Sequence, residues 1–183
     1  MAVRPVRIYG DPVLRKKARE ITGVDDTVRA LIADMRETMH AYNGVGLAAN
    51  QVGVLQRVLV VDVPVDDEKR ERHALINPVI DRRTGSEIGE EGCLSIPGVY
   101  DDVKRAKSVR VRALDERGAP VEITAEGYLA RALQHEVDHL DGVLFVDRLS
   151  LLKRQFLRHR LDALARGERP DAAAPPAASG GTI

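Results

Sequence analysis

The sequence predicts an α+β fold, with antiparallel strands packed around a central metal-bearing helix and a C-terminal helix. Three observations in the 183-residue chain predict it. Runs rich in β-branched residues recur at RVLVVDV (57–63), ALINPVI (74–80) and SVRVRAL (108–114), the last with period-two alternation. HEVDH at 135–139 sets two histidines one helical turn apart, the spacing at which both rings reach one ion. LSLLKRQFLRHRLDALARGE at 149–168 carries an amphipathic helical pattern.

Taken in order, Asp11 and Pro12 open a short helical turn, and Asp25 or Asp26 caps a helix that runs to about Tyr42. Its apolar repeat is Val28, Leu31, Ile32, Met35 and Met39. GVGLAANQVG at 44–53 then reads as a loop between that helix and the first strand. Gly44, Gly46 and Ala49, with Asp66 and Asp67 further on, imitate a dinucleotide-binding fingerprint. That fingerprint leaves a strand and opens a helix, and the order here is the reverse. The glycines instead let a backbone approach a ligand closely, with Gln51 as an amide donor. PVDDEKRERH at 64–73 is a solvated hairpin loop in which His73 is a lesser candidate ligand. VEITAEG at 121–127 ends a strand and leads into the HEVDH helix, which Gly142 stops.

On that helix Leu129, Leu133, Val137 and Leu140 form a core stripe. Tyr128, Ala132, His135 and His139 form a second, and Arg131, Gln134 and Asp138 a polar third expected to be the wettest. Glu136 flanks the histidines, within reach of a water held at the ion. A third ligand is needed, and Cys93 in EEGCLSIPG is the best placed. As the single cysteine it forms no intrachain disulfide, which leaves a buried structural thiol, a reactive thiol or a metal thiolate. Gly92, Pro97 and Gly98 give it a short extended segment ending in a turn. The metzincin route has Gly142 in place but Phe145 where its third histidine belongs. Glu168 lies near the tail, and Asp147 is either a ligand or half of a surface pair with Arg148. A thiolate with two imidazoles suits iron(II), zinc or cobalt better than magnesium.

Lys and Arg number 28, as do Asp and Glu, so the whole chain has no nucleic-acid footprint. No apolar run has membrane length, and no secretion signal is evident; with a lone cysteine, this points to a reducing cytoplasm. In the C-terminal helix Leu149, Leu152, Phe156, Leu161 and Leu164 share an apolar side, while Lys153, Arg154, Arg158 and Arg160 make it basic. It reads as a docked helix with a wet face, or as a ribosome or nucleic-acid contact. PDAAAPPAASGGTI at 170–183 has a disordered composition.

GVGLAANQ (44–51), EGCLS (91–95) and QHEVDH (134–139), together with GDPVLRKKA (10–18), resemble in content and order the motifs of the peptide deformylase family. These metalloenzymes remove the formyl group from the N-terminal methionine of new polypeptides. The similarity spans roughly residues 4–160 and implies a catalytic domain over 1–167 with a tail over 168–183. It further implies that Cys93, His135 and His139 hold one divalent metal, iron(II) in the cell with zinc, nickel or cobalt as substitutes. Glu136 would be the general base, and the Gln51 side chain and Leu94 N–H the oxyanion donors. Gly46 would hold the peptide backbone and Val45 help shape the methionine pocket, the substrate being an N-formylmethionyl nascent polypeptide. A zinc endopeptidase, disfavoured by Phe145 and EGCLS, and a non-enzymatic, ribosome-associated metal-binding module are the competing functions.

Overall fold

In the computed structural model, which describes residues 2–65 and 69–168, acids open the first helical elements as their sequence suggests. Asp11 accepts from the Val13 N–H at the head of the 3-10 turn Pro12–Arg15. Asp25 accepts from the Val28 N–H at 2.9 Å and caps α1, Asp26–Ala41, a contact worth about 1 kcal/mol. Seven strands follow: β1 (Gly46–Ala48), β2 (Val58–Pro64), β3 (Arg70–Thr84), β4 (Glu87–Glu91), β5 (Asp101–Arg105), β6 (Ser108–Leu114) and β7 (Pro120–Glu126). The helices α2 (Gly127–Leu140) and α3 (Leu151–Ala165) are the remaining α-helices among the described residues.

Five strands form an antiparallel sheet in the order β1-β2-β3-β6-β7, and β4 and β5 pair as a separate hairpin. The helices α1 and α2 cover opposite faces of the larger sheet. Val58 and Val60 pack with Val28, Leu31, Ile32, Met35 and Met39 of α1, whereas Leu59, Val61 and Val63 pack with Leu129, Leu133, Val137 and Leu140 of α2. Burial of both faces is why β2 reads as a continuous apolar run instead of an alternating one. In β3, Asn77 and Pro78 fall where the pairing with β6 shifts register, and a bulge there tolerates a proline within a strand.

The segment predicted as a loop at 44–53 holds β1 and a 3-10 turn at Ala49–Val52. The predicted hairpin loop at 64–73 is shorter, because β3 begins at Arg70. Its start is secured by Asp62 of β2, which accepts hydrogen bonds from Arg70 and Arg72 and pairs with His40 of α1 at 2.9 Å. The hairpin of β4 and β5 had no sequence prediction, since EIGEE and DDVKR lack apolar alternation.

The C-terminal helix α3 is present, but its apolar side differs from the expected one. Leu149, Leu161 and Leu164 are buried with Phe145, Val99 and Ile96, while Leu152 and Phe156 are 62% and 77% exposed. At 100° per residue, Leu157, Leu161 and Leu164 form the docked stripe, and Leu152 and Phe156 fall far to its side. The N-terminal segment meets α3 closely: a Cβ on Gly10, whose φ is +102°, would stand 2.7 Å from Ala165 Cα. The tail predicted to be disordered at 170–183 lies outside the described residues.

Burial alone would raise the Asp62 carboxyl, but hydrogen bonds from Arg70, His40 and Arg72 outweigh it and hold the group below the ordinary aspartate range. A depressed folded-state value stabilises above the unfolded value and loses that contribution as pH falls through the folded one. Asp62→Asn is therefore expected to cost about 1–3 kcal/mol at neutral pH. The difference from the parent should narrow as pH drops below about 4. Urea unfolding at a series of pH values measures it, and a pH-independent difference would refute the role.

Candidate active site

The central helix α2 is buried along its length from Leu129 to Leu140, including its polar stripe. Arg131, Gln134 and Asp138, expected to be wet, are instead covered by the hairpin of β4 and β5. Gln134 exchanges hydrogen bonds with the backbone of Ala106, and Arg131 donates to the carbonyls of Gly89 and Val103 and to Glu91 at 2.9 Å. Asp138 accepts from Arg105 and from Arg148. Charged groups tolerate this burial because each meets its complement.

Glu91 stands at the centre. Arg105 grips its carboxylate with a fork at 2.8 and 2.9 Å, and His135 Nδ1 lies 3.0 Å from Glu91 Oε2. Burial would raise the Glu91 carboxyl, but Arg105 and His135 outweigh it and leave the group ionised, far below the ordinary range. An ionised carboxylate only accepts, so His135 donates from Nδ1 and leaves Nε2 facing inward. Phe145, at the position where a metzincin would hold its third histidine, stacks on His135 with ring centres 6.2 Å apart.

The inward Nε2 of His135 lies 3.2 Å from His139 Nε2, which lies 3.2 Å from Cys93 Sγ, and the three donor atoms all fall within 4.8 Å of one another. Bonds of 2.0–2.3 Å to a tetrahedral ion would set its donors about 3.3–3.6 Å apart, close to the two 3.2 Å spacings at His139. Burial pushes the Cys93 thiol up to about 12, opposed by hydrogen bonds from Ser95 and aided by Glu136. Burial and then His135 hold the His139 imidazole well below its ordinary value. Without an ion the Cys93 thiol and the His139 imidazole are thus neutral, and a cation must displace the thiol proton.

Glu136 is fully buried, and among the described residues neither carboxylate oxygen has a partner. Burial, and secondarily Glu91, raise it well above the ordinary glutamate range. It lies against β1, where a Cβ on Gly46 would come within 2.4 Å of Glu136 Oε1. The Gln51 side chain is held at both ends: its Oε1 accepts from Ala48 N–H at 2.8 Å, and its Nε2 donates to Ser95 Oγ at 3.3 Å and lies 3.6 Å from Cys93 Sγ.

The predicted residues Cys93, His135, His139, Glu136, Gln51 and Gly46 therefore meet. Leu94 follows Cys93 in the chain and turns its side chain toward Gly44. Val45 is buried with Leu129 and Leu133. The lesser candidates stand apart: Asp147 pairs with Arg15, Glu168 with Arg166, and His73 with Glu71. Sequence reasoning missed Glu91, Arg105 and Arg148 as supports of the site. The acidic pair before Gly92 and the polar stripe of α2 were the available signals.

Two imidazoles on an HExxH helix, a thiol from a neighbouring turn and an unpartnered carboxylate beside them define a mononuclear metal-hydrolase centre. Comparison with known proteins narrows the class. The polypeptide deformylase family model matches residues 3–155. A peptide deformylase from Alkalilimnicola ehrlichii is 52% identical over 169 residues, covering 92% of this chain and 94% of the relative. Among solved structures, a peptide deformylase from Legionella pneumophila superimposes with a TM-score of 0.83 at 48% identity, covering 95% of this chain and all of that one. One from Ehrlichia chaffeensis in complex with actinonin gives 0.85 at 40% identity, covering 93% and 100%. The chain belongs to the polypeptide deformylase family.

The contact between Gly46 and Glu136 yields a test within the site. Gly46→Ala is expected to destabilise the protein by about 1–3 kcal/mol, since the new methyl group overlaps the carboxylate. Most of that cost should vanish in a Glu136→Ala background, where the space is open. Urea unfolding of the four proteins in the cycle decides, and an equal cost in both backgrounds would contradict the contact.

Proposed function

We propose that this chain hydrolyses the formyl group of N-formylmethionyl polypeptides, releasing formate and a free N-terminal amine. The observation that carries the reading is the fully buried, unpartnered Glu136 carboxylate beside the Cys93, His135 and His139 donors. These three are the proposed metal ligands. Iron(II) is the proposed ion in the cell, with zinc, nickel or cobalt as substitutes; the soft thiolate supports this choice. The bound cation supplies Lewis acidity at the formyl carbonyl and acidifies the attacking water.

The chain's own residues do the rest. Glu136 accepts a proton from the attacking water and delivers it to the amine nitrogen as the C–N bond breaks, so the water oxygen leaves in formate. A carboxyl raised by burial suits a group that must both take and return a proton. Gln51 Nε2 and Leu94 N–H donate to the carbonyl oxygen as it gains charge, and the fixed amide of Gln51 supports that role. Gly46, in the edge strand β1, holds the substrate backbone, and Val45 contributes to the methionine pocket. The catalytic domain spans 1–167 and the tail 168–183, a division supported by the close packing of Gly10 on Ala165.

The proposed location is the cytoplasm, which the single cysteine supports. Among the described residues no helix is long and apolar enough to cross a membrane. For α3 the proposed partner is the ribosome. Its support is Arg154 and Arg158 beside a groove of about 560 Å³, with Leu151, Leu152 and Phe156 exposed nearby.

Formate release from formyl-Met-Ala-Ser, but not acetate release from its acetylated counterpart, is the expected result. In the same assay metal-loaded Glu136→Gln should lose about two to four orders of magnitude in rate. Turnover near that of the parent would sink the role of Glu136, and no release by the parent would sink the activity itself. For α3, co-sedimentation with ribosomes should weaken as salt rises and fail for Arg154→Glu/Arg158→Glu. Binding unchanged in either respect would count against the contact.

A further inference from the structure

We propose that Arg148, in the 3-10 turn Phe145–Arg148 before α3, is a positioning residue for the metal centre, acting through Asp138, Arg105 and Glu91 on the ligand His135. The inference rests on reading Cys93, His135 and His139 as the ligand set.

The path is a continuous series of charge-assisted contacts. Arg148 grips Asp138 with a fork, Nε to Oδ2 at 3.0 Å and Nη2 to Oδ1 at 2.6 Å. Asp138 Oδ2 also accepts from Arg105 Nη1. Arg105 turns its other two nitrogens, Nε and Nη2, on Glu91, which holds His135 Nδ1. Exposure falls along the path: the Arg148 side chain is 47% exposed, Asp138 11%, Arg105 4% and Glu91 0%. Arg105 is thus shared between two carboxylates, and Arg148 is the second cation that lets Asp138 give up part of its claim on Arg105. Without Arg148, Asp138 depends on Arg105 alone and draws the guanidinium away from Glu91. The carboxylate that orients His135 then loses its fork.

A merely structural role for Arg148 has less support. The turn is already held by buried Leu144, Phe145, Val146 and Leu149, by the Asp147 carboxylate accepting from Leu144 N–H at 2.8 Å, and by the pair of Asp147 with Arg15. Among the described residues the side-chain hydrogen bonds of Arg148 are both with Asp138.

The test reads zinc release into excess chelator, which needs no substrate. Partners that touch a ligand directly change metal affinity about 10- to 100-fold, and three residues separate Arg148 from His135 along the path. Arg148→Met is therefore expected to speed release by about 3- to 10-fold, with Arg148→Lys restoring most of the difference. In a Glu91→Gln background the same change should have less than about a 2-fold effect, because the path is already cut. Release unchanged in Arg148→Met, or accelerated equally in both backgrounds, would overturn the proposal. If Glu91→Gln does not fold, the cobalt(II) absorption bands of Arg148→Met are compared with those of the parent. A shift supports the path and coincident spectra refute it. A parent that binds no zinc overturns the ligand set and this inference with it, whereas normal binding with release insensitive to Arg148 overturns this inference alone.

Discussion

A carboxylate buried without partners costs several kcal/mol, and Glu91 is buried completely. Its four side-chain hydrogen bonds among the described residues come from Arg105 on β5, within the hairpin, and from Arg131 and His135 on α2, so only the hairpin seated on the helix satisfies it completely. This requirement fixes where β4 and β5 close over α2. Cys93 follows Glu91 by two residues. The contact that places the hairpin on the helix therefore also places the thiol beside the imidazoles. One ion-pair cluster serves the fold and the site at once.

The contrast between Glu91 and Glu136 shows how the two carboxylates divide their tasks. Both are fully buried on or against α2. Arg105, with Arg131 and His135, keeps Glu91 ionised and held in place, whereas Glu136 has no hydrogen-bond partner among the described residues and its carboxyl is driven upward by burial. The orphaned oxygens of Glu136 face β1, where the missing side chain of Gly46 leaves them room. A group destabilised in its charged form binds a proton readily. Stability given up at Glu136 is offset by the fully satisfied network around Glu91.

Much of this was legible in the sequence where local rules suffice. Asp11 and Asp25 cap the elements they precede, β6 follows the alternating run 108–114, and HEVDH with Cys93 supplies the donor set. What stayed hidden depends on partners distant in the chain. Arg131, Gln134 and Asp138 read as a wet face because nothing local shows that β4 and β5 cover them. Those strands were hidden in turn because EIGEE and DDVKR are charged, and charge signals solvent unless its complement is known. The apolar side of α3 was misread for a related reason. Hydrophobic pattern identified the helix, but only its contacts show that Leu161 and Leu164 dock while Leu152 and Phe156 do not.

Phe145 explains why the third donor comes from the hairpin. The segment after α2 forms an apolar wall, its phenylalanine stacked on His135 and packed with Leu144, Val146 and Leu149. With no ligand from that side, the set is completed by Cys93, which belongs to the same cluster as Leu14, Ile96 and Leu164. The imidazoles sit on α2, whose apolar stripe belongs to the cluster that faces the sheet. A cation held by all three donors therefore ties two separately packed cores together, and its binding energy becomes folding energy for the hairpin as well as chemistry for the cleft.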